Sequence, residues 1–156
     1  MVDSVKTYKQ IHKTDQSLNF GISRMEEIFD KRHGQSDTAH RHDFYTILFT
    51  ITAKGKHLID FREYDLADNQ IFFISTGQVH QVIEDKRSVG YSLIFSNNFL
   101  IQNNIPISFI ENINLFKEFG HSPPLNLKPN ELTQLKKYAE EILEIGKSNI
   151  SLKMKQ

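Results

Sequence analysis

Three of the seven histidines have a type and spacing that could do chemistry. His40 and His42 stand one residue apart in "AHRHDFYTILF", at the head of an apolar stretch, and His80 follows in "TGQVHQV". If these stretches are strands, alternation places His40 and His42 on the same face. Three neutral imidazoles from two strands can hold a zinc, iron or manganese ion with an open position, or hydrogen-bond a small molecule.

These histidines need strands to position them, and the sequence from about residue 18 to residue 95 predicts a series of short strands. β-rich or apolar runs at 42–52, 57–61, 71–75, 79–83 and 91–95 are divided by "AKGK" (53–56), "EYDLADNQ" (63–70), "TGQ" and "EDKRSVG" (84–90). Short strands at this spacing predict an antiparallel sandwich or barrel. Before them, residues 18–29 are expected to enter a first strand and residues 30–40 to form a loop.

The character of the sequence changes after Phe95. Ser96 is a suitable N-cap for a short helix at "NNFLIQ", and "HSPP" (121–124) is a break. A longer helix is predicted over 129–146, with Pro129 in its first turn and Gly146 at its end. The lysine-bearing tail after Gly146 is expected to be a linker or a frayed end.

That longer helix carries one apolar stripe, formed by Leu132, Leu135, Ala139 and Ile142 and widened by Tyr138 and Ile145. The stripe has two interpretations, and one helix can satisfy both. It can pack on its own barrel, or it can pair with its copy in a second chain.

Composition limits the function classes. The 156 residues suffice for one domain with a core, and no stretch has the apolar length of a membrane span. Lys+Arg and Asp+Glu balance at 19 each, whereas a domain that grips nucleic acid usually has a basic excess. We therefore expect no membrane contact, and any DNA contact to lie outside this domain. The polar start without a secretory core favours a cytoplasmic protein.

The histidine pattern resembles the cupin barrel. In cupins a His-x-His pair is followed by a Glu and a closing Gly, and a later motif ends in Pro-x-Gly-x-x-His. Here His40, His42, Gly55 and the Gly-x-x-His ending at His80 fit. The carboxylate position holds Thr46, which argues against a bound metal, and Ser75 replaces the proline.

A narrower resemblance covers residues 40–82. "HRHDFY" and "FFISTGQVH" (72–80) are similar to the N-terminal domain of AraC-type transcription regulators, in which Pro is usual at the position of Thr76. The resemblance implies a cupin-type antiparallel β-barrel (a double-stranded β-helix or jelly roll) followed by a small helical part. It implies a sensor at 1–95, a helical dimerisation part at 96–149, and a linker starting at 150–156.

The resemblance also implies a function without catalysis. A small-molecule effector would bind near His40, His42, Thr46 and His80, with no cofactor and no metal, although these three histidines would be the ligands of any metal. A homodimer would form through Leu132, Leu135, Ala139 and Ile142. DNA would be bound by a C-terminal helix-turn-helix domain that these 156 residues do not include, so the chain is expected to be a fragment.

Two alternatives stay open at this point. One is a small metal-dependent cupin enzyme, an isomerase or dioxygenase. The other is a bare carbohydrate-binding barrel without a regulatory partner. The sequence contains no Gly-x-Ser-x-Gly motif, phosphate loop or cysteine that would indicate another chemistry.

Overall fold

The computed structural model describes the backbone of residues 6–8, 19–36, 38–117 and 121–155, and the side chains of 19–36, 38–117 and 121–146. The strands are β1 Lys6–Tyr8, β2 Phe20–Arg24, β3 His40–His42, β4 Tyr45–Thr52, β5 Gly55–Ile59, β6 Arg62–Leu66, β7 Gln70–Ile74, β8 Val79–Glu84, β9 Val89–Phe95 and β10 Leu125–Asn126. The helices are α1 Met25–Lys31, α2 Asn97–Gln102, α3 Ile107–Ile113 and α4 Pro129–Lys155.

The described strands form two five-stranded sheets. The first sheet has the order β1-β3-β8-β5-β6, and the second has the order β10-β7-β4-β9-β2. All pairs are antiparallel except β1 with β3, which is parallel. The predicted mainly-β, cupin-like jelly roll with a C-terminal helical part is therefore confirmed.

The main core lies between the two sheets. Ile59 and Leu66 from the first sheet pack in one cluster with Leu48, Phe72 and Ile74 from the second. Alternation along β4 turns its other residues to the opposite face of the second sheet.

Helices cover that outer face. Tyr45 and Phe95 pack with Leu100 of α2 and Ile110 of α3, so Tyr45 lies beneath the helices on the face away from the core between the sheets. The outer face of the second sheet thus packs against the helical part, while its inner face lines the core between the sheets.

The starts of α2 and α4 agree with the sequence-based expectation. Ser96 Oγ accepts a hydrogen bond from the Phe99 N–H at 3.2 Å, so the predicted cap of α2 is confirmed. At α4, Lys128 offers no capping oxygen, but its N–H donates to Glu131 Oε1 at 2.9 Å. This bond is the returning half of a capping box, with Pro129 in the first turn.

The prediction that Gly146 ends α4 is wrong, because the helix continues to Lys155. Gly146 is not among the glycines with positive φ, so it does not adopt the left-handed conformation of a helix terminus. A helix-interior glycine costs only about 1 kcal/mol relative to alanine, which a long helix tolerates. Residues 147–155 therefore have a helical backbone, and a linker at 150–156 stays a prediction.

Two further elements differ from the sequence-based expectation. The stretch expected to enter a first strand holds both β2 and, from Met25, the start of α1. The segment 63–70, expected to be a turn, contains most of β6. Its charged residues Glu63 and Asp65 are exposed while Leu66 is buried, which is typical of an edge strand.

Candidate functional site

Neighbouring strands of the first sheet bring the histidines together. His40 on β3 lies directly opposite His80 on β8, and His80 lies opposite Ile59 on β5. Side chains directly opposite one another across a strand pair share one face. Since Ile59 belongs to the core between the sheets, both imidazoles point into the interior.

The three histidines expected to form a site are in mutual contact. The rings of His40 and His80 have centroids 4.5 Å apart, and those of His40 and His42 are 4.7 Å apart. His42 Nε2 is 2.9 Å from His80 Nε2. One ring nitrogen of each histidine lies within 4.8 Å of the other two, so the set could hold a metal ion.

A fourth histidine, His57 on β5, was missed by the sequence analysis. Its side chain is fully buried, and its Nε2 is 3.0 Å from His80 Nδ1. The signal was present in "GKHLI", because alternation places His57 on the same face as the core residue Ile59. His57 lies in the predicted strand 57–61 but belongs to neither histidine motif.

The hydrogen bonds of the cluster limit where protons can be. His40 Nδ1 lies 2.7 Å from the carbonyl oxygen of Thr38, so this nitrogen carries a proton and donates it. In the neutral His40 ring, Nε2 is then an acceptor. In the 2.9 Å contact between His42 and His80, and the 3.0 Å contact between His80 and His57, one nitrogen of each pair must be protonated.

The interior keeps His57 and His80 uncharged. Burial, followed by the neighbouring His40, lowers the pKa of His57 to about 3. Burial, followed by the neighbouring His57, lowers the pKa of His80 well below its ordinary value. At neutral pH these rings therefore offer lone pairs and single N–H donors, which suit a metal cation or a hydroxyl-bearing molecule better than a bare anion.

Thr46 lies on β4 in the second sheet and is not hydrogen-bonded to the histidines. It is 3% exposed, and its hydroxyl has no hydrogen-bond partner. The same is true of Nδ1 of His57. Leaving a buried polar atom unsatisfied costs roughly 1–3 kcal/mol of folding free energy. The interior therefore holds polar atoms that lower the stability of the ligand-free domain.

The residues that precede His80 in "FFISTGQVH" fix the start of β8. Gly77 has a φ of 82°, which the turn before β8 requires. Gln78 Oε1 accepts from the Ser75 N–H at 2.9 Å, and Gln78 Nε2 donates to Asp60 at 2.8 Å. Asp60 also accepts from the Val79 N–H at 3.1 Å. These bonds place His80, one residue later, at a fixed position.

The predicted dimerisation stripe lies against the chain's own barrel. Leu132, Leu135 and Ala139 pack in one cluster with residues of the second sheet: Phe49, Ile71 and Tyr91. Of the predicted set, Ile142 is half-buried and lies outside that cluster. Tyr138 and Ile145 are more than half exposed, at 56% and 59%.

Comparison with protein families identifies the fold and the class of the site. Residues 25–135, well over half of the 156, match the family model of the AraC-like ligand binding domain. The chain belongs to this family. The AraC-like resemblance of residues 40–82 is thereby confirmed, and it lies wholly inside the matched range.

Membership indicates a ligand-binding domain of a transcription regulator, with a regulatory rather than a catalytic role. The match includes β3, β5 and β8, so all four clustered histidines lie within the AraC-like domain. A comparison with curated proteins finds no match. In the part of the chain that the structure describes, no helix combines the length and the apolar character needed to cross a membrane.

Proposed function

We propose that this chain is the effector-sensing and dimerisation domain of a cytoplasmic AraC-type transcription regulator. A small molecule binds between the two sheets, beside His40, His42 and His80 and opposite Thr46. The signal passes to a C-terminal helix-turn-helix domain that binds DNA.

The buried polar interior is the observation that carries this proposal. The hydroxyl of Thr46 and Nδ1 of His57 are buried without partners beside a core built mainly of Leu, Ile and Phe side chains. Natural proteins keep such unsatisfied groups mainly where they act on something. A ligand bound beside the histidines would give the Thr46 hydroxyl a hydrogen-bond partner.

The second sheet offers a route from the ligand to the helices. Along β4, Thr46 faces the interior, while Tyr45 and Phe49 face outward onto the helical part. A ligand that contacts Thr46 therefore presses on a strand whose other face supports α4. The signal requires two arrangements of the second sheet and α4 in equilibrium. A ligand shifts that equilibrium only by binding one arrangement more tightly than the other.

Dimerisation is proposed for the free side of α4. Tyr138, Ile142 and Ile145 are spaced by four and three residues, so they share one side of the helix next to the stripe that packs on the barrel. Leu132, Leu135 and Ala139 would then support the dimer by holding α4 in place.

Sedimentation of Ile145→Glu protein tests this dimer, with Glu144→Gln as the control. Ile145→Glu should yield monomers, and Glu144→Gln should not.

A second candidate function has one observation in its favour. The ring nitrogens of His40, His42 and His80 lie within 4.8 Å of one another, as a metal-dependent cupin enzyme would need. Stoichiometric zinc, iron or manganese in tag-free protein, together with turnover of a substrate that is abolished in His40→Ala, would favour this enzyme over the sensor.

A thermal-shift screen of the 156-residue chain against small metabolites tests the sensor proposal. A ligand at one hundred times its dissociation constant adds about 2.7 kcal/mol to the free energy of unfolding. The proposal expects hits whose shift is lost in Thr46→Val and retained in His33→Asn, since His33 is an exposed histidine outside the cluster. Hits that depend equally on both positions, or an absence of hits across all metabolite classes, would contradict it.

A further inference from the structure

His80 lies between two other imidazoles, and its single proton decides what the site can bind. Its Nε2 faces His42 Nε2 at 2.9 Å, and its Nδ1 faces His57 Nε2 at 3.0 Å. A neutral imidazole is protonated on one nitrogen only. A proton on Nδ1 leaves a lone pair directed at His40 and His42, whereas a proton on Nε2 removes that lone pair from the site.

His57 has little reason to be a histidine except for this bond. It is fully buried, its ring packs edge-on against Phe72 at 4.5 Å, and its Nδ1 has no hydrogen-bond partner. Within the described part of the chain, the hydrogen bond of His57 is made to His80. A leucine or phenylalanine would fill such a position without an unsatisfied nitrogen.

We infer that His57 is a positioning residue for a divalent metal site: by accepting the Nδ1 proton of His80, it directs Nε2 of that ring at an ion shared with His40 and His42. The inference rests on the proposed function in taking the histidine cluster as the ligand site of the domain. His40 has an equivalent outer partner, because its Nδ1–H donates to the Thr38 carbonyl at 2.7 Å. Ligand histidines in metalloproteins characteristically donate their second N–H in this way.

The donor set selects the class of ion. Three neutral nitrogens, with no carboxylate or thiolate among the ligands, suit zinc, cobalt or nickel and not the oxygen-seeking magnesium or calcium. Three protein ligands leave a position open, at which an oxygen of an effector can bind. The absence of a carboxylate at Thr46 therefore restricts the choice of ion without removing the site.

Cobalt titration of the tag-free 156-residue chain tests this inference, with zinc competition to obtain affinities. Wild-type protein should bind one Co²⁺ with the visible absorption of nitrogen coordination. His57→Leu should weaken binding about 10- to 100-fold. His57→Gln, which keeps an acceptor near the position of Nε2, should recover most of the loss, and His33→Asn should bind like wild type.

Melting in the presence of a chelator separates positioning from a structural role. His57→Leu exchanges one unsatisfied nitrogen, on His57, for another on His80, so its metal-free melting temperature should stay close to that of wild type. Loss of metal affinity in step with loss of metal-free stability, or unchanged affinity in His57→Leu, would overturn the inference.

Imidazole ¹⁵N spectra of the wild-type chain give a second readout, which does not depend on whether a variant folds. In the zinc-loaded chain, His80 should carry its proton on Nδ1. A proton on Nε2 of His80, or no Co²⁺ binding at all, would also overturn the inference. Neither result would affect the sensor proposal, which the metabolite screen tests by the dependence of its hits on Thr46.

Discussion

Tyr91 on β9 donates a hydrogen bond from its hydroxyl to Glu140 on α4, joining the second sheet to the long helix. Arg24 on β2 holds the other oxygen of the same carboxylate at 2.6 Å. Burial, followed by the bond to Glu140, raises the pKa of Tyr91 to about 12, so the hydroxyl keeps its proton throughout the physiological range.

Tyr91→Phe should therefore loosen α4 from the barrel. We expect the free energy of unfolding to fall by about 1–2 kcal/mol, because the hydrogen bond to Glu140 is lost. The loss stays this small because Glu140 is half exposed and keeps Arg24 as a partner. Amide hydrogen exchange in α4 should accelerate. The matched control is Tyr138→Phe, the same change at an exposed position of α4, which should leave both quantities unchanged. Equal exchange rates in the two variants would show that the Tyr91 bond does not hold the helix.

Thr46→Val should stabilise the ligand-free domain by about 1 kcal/mol, because it removes a buried hydroxyl without a partner. Thr50→Val is the matched control on the same face of β4. The Thr50 hydroxyl donates to the Ala67 carbonyl at 2.6 Å and accepts from the Gln70 N–H at 3.0 Å, so its loss should destabilise by about 1–3 kcal/mol. Urea unfolding measures both, and destabilisation by Thr46→Val would contradict the assignment of an unsatisfied hydroxyl.

Stability should fall as the pH decreases from about 6.5 toward 3, in metal-free protein. The pKa of His57 is about 3 in the folded chain, while an unfolded histidine titrates near 6.5. The unfolded state therefore takes up a proton first, and His57 alone makes unfolding easier by about 2 kcal/mol at pH 5 relative to pH 8. The buried His80, whose pKa is also lowered, acts in the same direction.

Urea unfolding at several pH values, with a chelator present, measures this dependence. His57→Gln removes one of the two groups and should make the decline shallower, whereas His33→Asn, at an exposed position, should not. A decline of the same steepness in wild type and His57→Gln would mean that His57 is charged in the folded chain.

Two glycines should respond in opposite directions to alanine. Gly55 has a φ of 151°, and a Cβ there would lie 2.0 Å from the Ile83 carbonyl oxygen. Gly55→Ala should therefore cost at least about 2 kcal/mol. Gly146 lies within α4 with nothing within 4 Å of an added Cβ, so Gly146→Ala should stabilise by about 0.5–1 kcal/mol. Thermal unfolding measures both, and a destabilising Gly146→Ala would mean that α4 does not continue through this residue.

Local sequence patterns were sufficient for the strands that carry the site. Alternation and turn residues predicted β4, β5, β7, β8 and β9, and the motif around His40, His42 and His80 predicted that these side chains meet. Each of these signals lies within a few residues along the chain. The cap at Ser96 was equally local, and it was confirmed.

What the sequence could not supply depends on contacts between distant residues. His57 belongs to the cluster only because β5 pairs with β8, and nothing in "GKHLI" marks that pairing. The outer face of the second sheet takes up Leu132 and Ala139, and a helical stripe alone does not say which surface covers it. Gly146 fits a helix end locally, but a helix interior tolerates it as well.

The most direct test of the buried cluster as ligand site is imidazole ¹H–¹⁵N NMR of the metal-free chain, titrated with the strongest hit of the metabolite screen. The ring nitrogens of His40, His42 and His80 should shift and saturate together, while those of the exposed His33 stay unchanged. Saturating binding that leaves the three clustered rings unshifted would place the ligand elsewhere and contradict the account.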